Sequence, residues 1–142
     1  MYKLAISTSG EYVSAAIFEE KLLASFVSKT NRGSTGILLN QINELFDKTK
    51  ANREDLSALY LDVGPGYYTG LRIGLSVSQG LGAVLGIPII PVNGLDALAF
   101  AAHTSHRKIC SLIDIKRSEF AYCEYMPVPG GVTRESDPQV IS

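Results

Sequence analysis

The sequence lacks the features that mark several large classes of protein. Its 13 basic residues stand against 14 acidic ones, and the basic pairs at 107–108 and 116–117 lie apart from each other. No basic patch for independent nucleic-acid binding is therefore indicated. The apolar run at residues 80–92 contains prolines and is too short to span a bilayer, and the first ten residues turn polar too early for a signal peptide. We expect a cytoplasmic protein with no membrane partner.

Histidine and cysteine are also scarce, with two of each. His103 and His106 lie three residues apart near the end of a predicted helix, but no third ligand accompanies them, which argues against a metal centre. We expect Cys110 and Cys123 on neighbouring strands of one hairpin, where they could face each other. A reducing compartment disfavours a disulfide between them.

What the chain does contain is typical of a folded domain. Hydrophobic residues make up 46% and charged residues 19% of the composition, which excludes disorder. A chain of 142 residues is about one average domain and can bury a sizeable core.

The stretch at residues 62–86 is the most informative part of the sequence. The alternating strand LSALYLDV leads into a Gly-Pro-Gly turn, after which the apolar period becomes helical. Small residues then recur four apart along one stripe of the helix: Gly70, Gly74, Ser78 and Gly82. Each such glycine costs a helix about 1 kcal/mol relative to alanine. We therefore expect another backbone to approach this stripe, so that the helix is buried against a sheet and against a second helix.

The Gly-Pro-Gly turn leaves two interpretations open. A glycine-rich loop at a helix N-terminus can bind phosphate through its backbone N–H groups, or it can be a purely structural turn. The turn lacks the lysine of a P-loop and the G-x-G-x-x-G spacing of a dinucleotide fold. Asp62, at the end of the strand, could act at a ligand or bond to nearby N–H groups.

The remaining segments predict an α/β fold. Residues 2–8, 12–18 and 21–28 predict an antiparallel meander of three strands, and the next helix runs to about Lys50 from a cap at Ser34 or Thr35. A short strand at 87–92, a helix at 94–103 and two strands around a turn at 116–118 follow. The tail from Pro127 shows no periodicity and predicts a linker or an unfinished unit.

Several segments resemble one known family. Residues 64–74, GPGYYTGLRIG, resemble the GPGSFTGLRIG signature of the TsaB (also called YeaZ) proteins, and LAISTS at residues 4–9 resembles the family's opening LAIDTS. Residues 79–99 are similar to its following helix, strand and helix, and IDIKRSEFAYCEY at residues 113–125 resembles IDARRGEVYWALY. The likeness extends over nearly the whole chain.

The resemblance implies the fold of actin, sugar kinases and heat-shock ATPases, with a mixed sheet, an antiparallel meander and covering helices. Residues 1–107 would form the N-terminal domain, and residues 108–142 the first hairpin and tail of an incomplete or shortened second domain of similar type. TsaB proteins take part in threonylcarbamoyladenosine biosynthesis on tRNA, and they pair with the related subunit TsaD, which transfers the threonylcarbamoyl group. The implied function is a non-catalytic scaffold subunit that meets tRNA only indirectly.

In the family the first two long helices form the pairing surface, in agreement with the two-sided burial expected of the second helix. We predict that this surface docks on a TsaD-like subunit, or on a second copy when the chain is alone. The predicted interface residues are Leu38, Ile42, Leu45, Gly70, Leu71, Arg72, Gly74, Leu75, Ser78 and Gly82.

Two departures from the family pattern bear on nucleotide binding. Ser7 stands where the family has an aspartate that lies near metal and phosphate in active relatives, and Tyr67 and Tyr68 replace serine and phenylalanine. The candidate residues of a degenerate phosphate or nucleotide site are Ser7, Thr8, Ser9, Gly10, Gly64, Pro65 and Gly66. No cofactor is expected on the isolated chain, and ATP or ADP with Mg²⁺ is expected in the complex alone.

Two enzymatic alternatives remain. An ATP-dependent kinase-type enzyme would need that same phosphate site, with Asp62, Asp114 or Glu119 as acid or base. A metallopeptidase, suggested by the older glycoprotease name of these families, would need histidine ligands that GSTGILLNQ at residues 33–41 lacks. No serine lies in G-x-S-x-G with a partner histidine and acid. We predict neither a catalytic residue nor a metal ligand.

Overall fold

The structure, a computed structural model, describes residues 1–30 and 34–142, without the side chains of residues 34 and 35. No helix within these residues is both long and apolar enough to cross a membrane. The elements in chain order are β1 Tyr2–Ser7, β2 Tyr12–Phe18, β3 Leu22–Lys29, α1 Ser34–Thr49, a 3-10 turn Arg53–Asp55, β4 Leu56–Asp62, α2 Tyr68–Leu85, β5 Ile89–Val92, α3 Gly94–Ala101, β6 Ile109–Lys116, β7 Glu119–Val128, β8 Gly131–Arg134 and β9 Gln139–Ile141.

The first sheet has five strands in the order β3-β2-β1-β4-β5. The first three strands pair antiparallel because short turns join them, whereas β1, β4 and β5 run parallel. Parallel neighbours need a crossover connection, which α1 and α2 supply. The predicted mixed sheet with a meander and covering helices is confirmed.

The core of this first half lies between the sheet and the two long helices. Successive strand side chains point to opposite faces, so that alternate residues such as Leu4 and Ile6 of β1 meet the helices. Leu38, Ile42 and Leu45 of α1 are 0%, 3% and 1% exposed in this core. Their predicted place at a partner interface is therefore corrected: their helical spacing aligns them on the inner face of α1, where the chain itself covers them.

Local sequence signals explain where the helices end. Helix α2 ends before Gly86, whose φ of 66° lies in the left-handed region that favours glycine. Asn93 caps α3, since its side-chain oxygen accepts hydrogen bonds from the amides of Leu95 and Asp96. Helix α1 begins at Ser34, and the predicted cap at residues 34–35 lies outside the described side chains.

The second sheet is built on the predicted β6–β7 hairpin. Strand β7 pairs with β6 along one side and with both β8 and β9 along the other. Of the two predictions for the tail from Pro127, a linker or an unfinished unit, the linker does not fit, because the ten-residue β7 offers a second edge long enough for two short strands. Short paired segments carry too few residues for a periodic signal.

Helix α3 packs on this second sheet, although the sequence places it with the first domain. Leu95 and Ala99 join a core that is separate from the first one. The Tyr125 hydroxyl and the Arg134 guanidinium both donate to the Asp96 carboxylate at 2.7 Å. Burial alone would raise the pKa of Asp96, but these two donors outweigh it and leave the pKa below its ordinary value. This network ties α3 to β7 and β8.

The two cysteines lie on neighbouring strands, as predicted, but they do not face each other. Cys110 is opposite Glu124, and Cys123 is opposite Ser111. Cys110 is exposed and Cys123 is buried, because the residues stand on opposite faces of the hairpin, and both are free thiols.

Candidate functional site

Two turns lie side by side at the carboxyl ends of the parallel strands β1 and β4. We call these two turns, which comprise residues 7–10 and 62–67, the clasp. The hydroxyl groups of Ser7 and Ser9 donate to the same Asp62 carboxylate oxygen, at 2.7 and 2.6 Å. Because β1 and β4 are adjacent and parallel, their carboxyl ends bring these side chains together.

Backbone contacts close the clasp further. The Gly64 amide donates to the second Asp62 oxygen at 2.8 Å, and the Tyr67 amide donates to the Ser9 carbonyl oxygen at 2.6 Å. Gly64 has a φ of 90°, which a residue with a side chain rarely adopts, and the bond to Pro65 is cis. The interpretation of Asp62 as a carboxylate that bonds to nearby N–H groups is confirmed.

The first turns of α2 pack directly on the clasp. A Cβ atom added to Gly70 would lie 1.9 Å from the Thr8 carbonyl oxygen, and one added to Gly74 would lie 2.4 Å from Thr8 Oγ1. Thr8 is only 2% exposed, and its hydroxyl donates to the Gly70 carbonyl oxygen at 2.6 Å. Glycine is required here because the turn after β1 occupies the space of a side chain.

The rest of the small-residue stripe also faces the sheet. Ser78 and Gly82 are buried, and a Cβ atom on Gly82 would lie 3.1 Å from the Ile89 side chain of β5. The expected burial of α2 against the sheet is confirmed, and α1 also contacts α2. The groups that come closest to Gly70, Gly74 and Gly82, however, belong to the sheet and the clasp and not to a neighbouring helix. Gly74, Ser78 and Gly82 are buried and have no surface to offer a partner, which corrects their predicted place at the interface, whereas Gly70 is half-buried.

Ser78 provides a test of this packing. Its hydroxyl is fully buried and finds no hydrogen-bond partner among the residues that the structure describes. An unsatisfied buried hydroxyl costs about 1–3 kcal/mol, so Ser78→Ala is expected to raise the free energy of unfolding by about 1 kcal/mol in urea denaturation. Ser111 is the matched control, because its buried hydroxyl donates to the Leu95 carbonyl oxygen at 2.9 Å, and its replacement by alanine should destabilise the chain. Equal losses for both variants would contradict the burial of an unpartnered hydroxyl.

The opposite side of α2 is exposed. We call Arg72, Leu75, Ser76, Gly80 and Ala83 the outer face of α2, and Leu75 is 44% exposed. A Cβ atom on Gly80 would meet no other atom within 4 Å, so that nothing in the described chain accounts for this glycine. Of the predicted interface residues, Arg72 and Leu75 alone lie on this face.

Leu71, another predicted interface residue of α2, does not lie on the outer face. Leu71 is half-buried, and its side chain would lie 3.1 Å from a Cβ atom on Gly64, beneath the clasp. Arg72 lies over the ring of Tyr68, with 5.5 Å between the guanidinium carbon and the ring centroid. Tyr68 is 74% exposed.

An open cleft of about 890 Å³ separates the clasp from the β6–β7 turn. The Lys116 ammonium lies 4.2 Å from the centroid of the Tyr67 ring across this cleft. A hydrogen bond to Tyr67 raises the pKa of Lys116. The turn itself is unusual, because Lys116, Arg117 and Ser118 all have φ between 59° and 76°.

The clasp does not fit the triphosphate and Mg²⁺ that the fold family implies. The hydroxyl groups of Ser7, Thr8 and Ser9, which would face a phosphate, already donate within the chain. The Asp62 carboxylate lies against two of them, so a phosphate oxygen bonded there would meet a like charge. Ser7 itself cannot serve as an anionic group towards a metal. The three hydroxyl groups of the predicted phosphate site therefore form structural contacts.

The other candidate chemical groups are not brought together. Asp114 accepts a hydrogen bond from the Lys116 amide, and Nδ1 of His103 lies 2.8 Å from the Phe100 carbonyl oxygen. In residues 1–30 and 34–142, no group of three histidine, cysteine or acidic side chains could hold a metal ion. These positions fit structural roles.

Sequence reasoning missed two features of the site. The Tyr67–Lys116 contact joins distant segments, and no local pattern indicates it. Gly80 is a glycine inside the predicted helix, but it lies off the four-residue stripe on which the prediction of close approach was based. A glycine inside a helix lowers the stability of the helix, and no contact within the described chain explains Gly80. This combination is the sequence signal that could have indicated the outer face of α2.

A family model described as TsaD, tRNA N6-adenosine threonylcarbamoyltransferase, matches residues 22–139. The chain is 30% identical over 125 residues to the tRNA threonylcarbamoyladenosine biosynthesis protein TsaB of Buchnera aphidicola, with 87% of this chain and 60% of the relative covered. It is 26% identical over 140 residues to TsaB of Escherichia coli, with 97% of this chain and 61% of that relative covered.

Solved structures agree with these matches. YeaZ from Pseudomonas aeruginosa superposes with a TM-score of 0.88 at 27% identity, over 99% of this chain and 67% of that one. A ROK hexokinase from Thermus thermophilus superposes with a TM-score of 0.53 at 17% identity, over 93% of this chain and 47% of that one, which supports the sugar-kinase type of fold alone. The expected fold class is confirmed.

The chain spans about three fifths of the length of these two curated relatives. The family model nevertheless covers well over half of this chain. By this match, the chain belongs to the TsaD (tRNA N6-adenosine threonylcarbamoyltransferase) family and, within that family, to the TsaB (YeaZ) proteins.

Proposed function

We propose that the chain is a non-catalytic scaffold subunit that pairs with a TsaD-like transferase in the cytoplasm. In this proposal the partner carries out the threonylcarbamoyl modification of a tRNA adenosine, and the scaffold meets tRNA only through the partner. The names of its relatives, which are biosynthesis proteins of threonylcarbamoyladenosine, support this assignment.

The observation that carries the proposal is the outer face of α2. Gly80 lies in the middle of an 18-residue helix, is exposed and has open space where its side chain would be. Such a glycine destabilises the helix by about 1 kcal/mol relative to alanine, and no contact within the described chain offsets this loss. Close approach by the backbone of a partner explains it. The neighbouring Leu75 supplies an exposed apolar side chain for the same contact.

Two further observations favour a scaffold over an enzyme. The clasp bonds its hydroxyl groups internally, which removes the phosphate site that a kinase-type enzyme would need. Within the described residues, the acids, histidines and cysteines form no catalytic constellation with one another. The kinase alternative is accordingly not favoured.

The same face also serves a second copy when the partner is absent. We infer that the isolated chain forms a homodimer through α1 and α2, and that a TsaD-like subunit displaces the second copy. Both contacts then use one surface, since they depend on the same apolar and small residues of α2.

A complementation experiment tests the proposal. The chain, expressed in Escherichia coli cells depleted of their own TsaB, is expected to restore threonylcarbamoyladenosine in tRNA, measured by mass spectrometry of tRNA nucleosides. Leu75→Glu should fail to restore it, because a charge at the centre of an apolar contact is left without a partner. Val140→Lys, which changes an exposed apolar side chain on β9, should restore it. Unrestored tRNA with the wild-type chain, despite normal expression, would contradict the proposal.

A further inference from the structure

Within the described residues the chain has two cores that share no residue, and one short segment joins them. The first lobe comprises the described residues up to Val92 of β5, and the second lobe begins with α3 at Gly94. The open cleft of about 890 Å³, and not a layer of packed side chains, lies between the clasp of the first lobe and the β6–β7 turn of the second. Two bodies without a large apolar interface generally move relative to each other. We expect such a movement at residues 92–94.

The lobes approach each other closely at this joint. The Gly94 amide donates to the Gly64 carbonyl oxygen at 2.8 Å. A Cβ atom added to Gly94 would lie 3.2 Å from Asp62 Oδ1 and 3.2 Å from the Ile113 side chain of β6. Glycine at this position therefore lets the start of α3 lie directly against the clasp. These contacts hold the lobes together at the joint, beside the open cleft.

A different contact joins the lobes across the cleft, where the Lys116 ammonium lies over the Tyr67 ring. The turn that carries Lys116 is held by Asp114, whose carboxylate accepts a hydrogen bond from the Lys116 amide at 2.7 Å. Lys116 has a φ of 76°. Residues other than glycine rarely adopt this φ, and they keep it where surrounding contacts require it. The TsaB signature has serine in place of Tyr67 and offers no ring, so this contact is a feature of this chain and not of that signature.

We propose that the Tyr67–Lys116 contact holds the cleft closed, and that the two lobes move apart about residues 92–94 when the contact breaks. An exposed cation–π contact shifts an equilibrium by only about two- to fivefold. The closed and the open arrangements are therefore both populated, and the closed one predominates. The inference goes beyond the proposed function and does not depend on it, because it concerns the two lobes of a single chain.

Distances between spin labels on the two lobes test this proposal. Cys110, an exposed thiol of the second lobe, takes one label, and Asp47→Cys on the exposed side of α1 provides a site for the other. Cys123 is buried and should stay unlabelled. An excess of unlabelled chain confines the signal in double electron–electron resonance to distances within one chain. Two populations are expected, and the larger one corresponds to the closed arrangement.

Tyr67→Ser and Lys116→Gln each remove the contact, so each should raise the ratio of the open to the closed population about two- to fivefold. Lys116→Gln is the decisive variant, because Lys116 is exposed and its replacement leaves the clasp intact. Tyr68→Ser is the matched control, since it makes the same change one residue away, where the ring faces Arg72. It should leave the ratio unchanged.

Two results would overturn the proposal. The first is a distance distribution that Lys116→Gln does not change, whether it contains one population or two. The second is an equal shift in Tyr68→Ser, because the effect would then come from the turn before α2 and not from the contact with Lys116.

Discussion

Gly70→Ala is expected to lower the free energy of unfolding by about 3 kcal/mol, which corresponds to a melting temperature roughly 10 °C lower for a chain of this size. The added methyl group would lie 1.9 Å from the Thr8 carbonyl oxygen, which is backbone and cannot rotate away. Either α2 or the turn after β1 must shift. Both movements break the bond between the Thr8 hydroxyl and the Gly70 carbonyl oxygen. Thermal and urea denaturation measure the loss.

The control for this variant lies in the same helix. Gly80→Ala adds the same methyl group where no atom lies within 4 Å. It should raise the free energy of unfolding by about 1 kcal/mol, since alanine is the better helix former. Opposite signs for the two substitutions would distinguish packing from helix propensity. A loss below 1 kcal/mol for Gly70→Ala would show that the clasp and α2 are not in close contact.

Much of the fold was predictable because its signals are local. The alternation in β1, β2 and β4, the helical spacing in α1 and the glycine-rich break after Asp62 each lie within one short segment. The parallel order of β1, β4 and β5 follows from the helices between them. These features depend on side-chain period and turn chemistry, both of which can be recognised in a single sequence.

The group against which the glycine stripe packs could not be predicted in the same way. A line of small residues indicates that some backbone comes close, but it does not identify that backbone. Here the approaching group is Thr8, which lies about sixty residues earlier in the chain and reaches Gly70 only after β1 and β4 pair. The sequence likewise does not decide whether Leu38 and Leu45 lie in the core or at an interface, because an apolar helix stripe can cover a sheet or meet a partner.

The structure also explains why the clasp tolerates serine where the family has aspartate. The Ser7 hydroxyl donates a hydrogen bond to the Asp62 carboxylate, which a second carboxylate could not do. The residues that indicated a degenerate phosphate site are thus the residues that join β1 to α2. Sequence similarity could identify these positions, but it could not show that their donors are already occupied.

The second large effect concerns the outer face of α2. Gly80→Leu is expected to weaken the affinity for a TsaD-like subunit about 100-fold, or about 2.7 kcal/mol. Its side chain points into open space in the free chain and leucine is a better helix former than glycine, so folding should not be weakened, but the side chain would separate the two backbones in the complex. Gly80→Ala adds less volume and should weaken binding less. Val140→Lys on β9, remote from α2, should not change the affinity.

The most direct measurement is isothermal titration calorimetry of the wild-type chain and Gly80→Leu against the TsaD-like subunit of the same organism, with melting temperatures recorded for both. If the exposed glycine admits the partner's backbone, the wild-type chain binds and the leucine variant loses about 100-fold in affinity with no fall in melting temperature. Equal affinity for the two chains, or no binding by the wild-type chain, would contradict a scaffold that pairs through this helix.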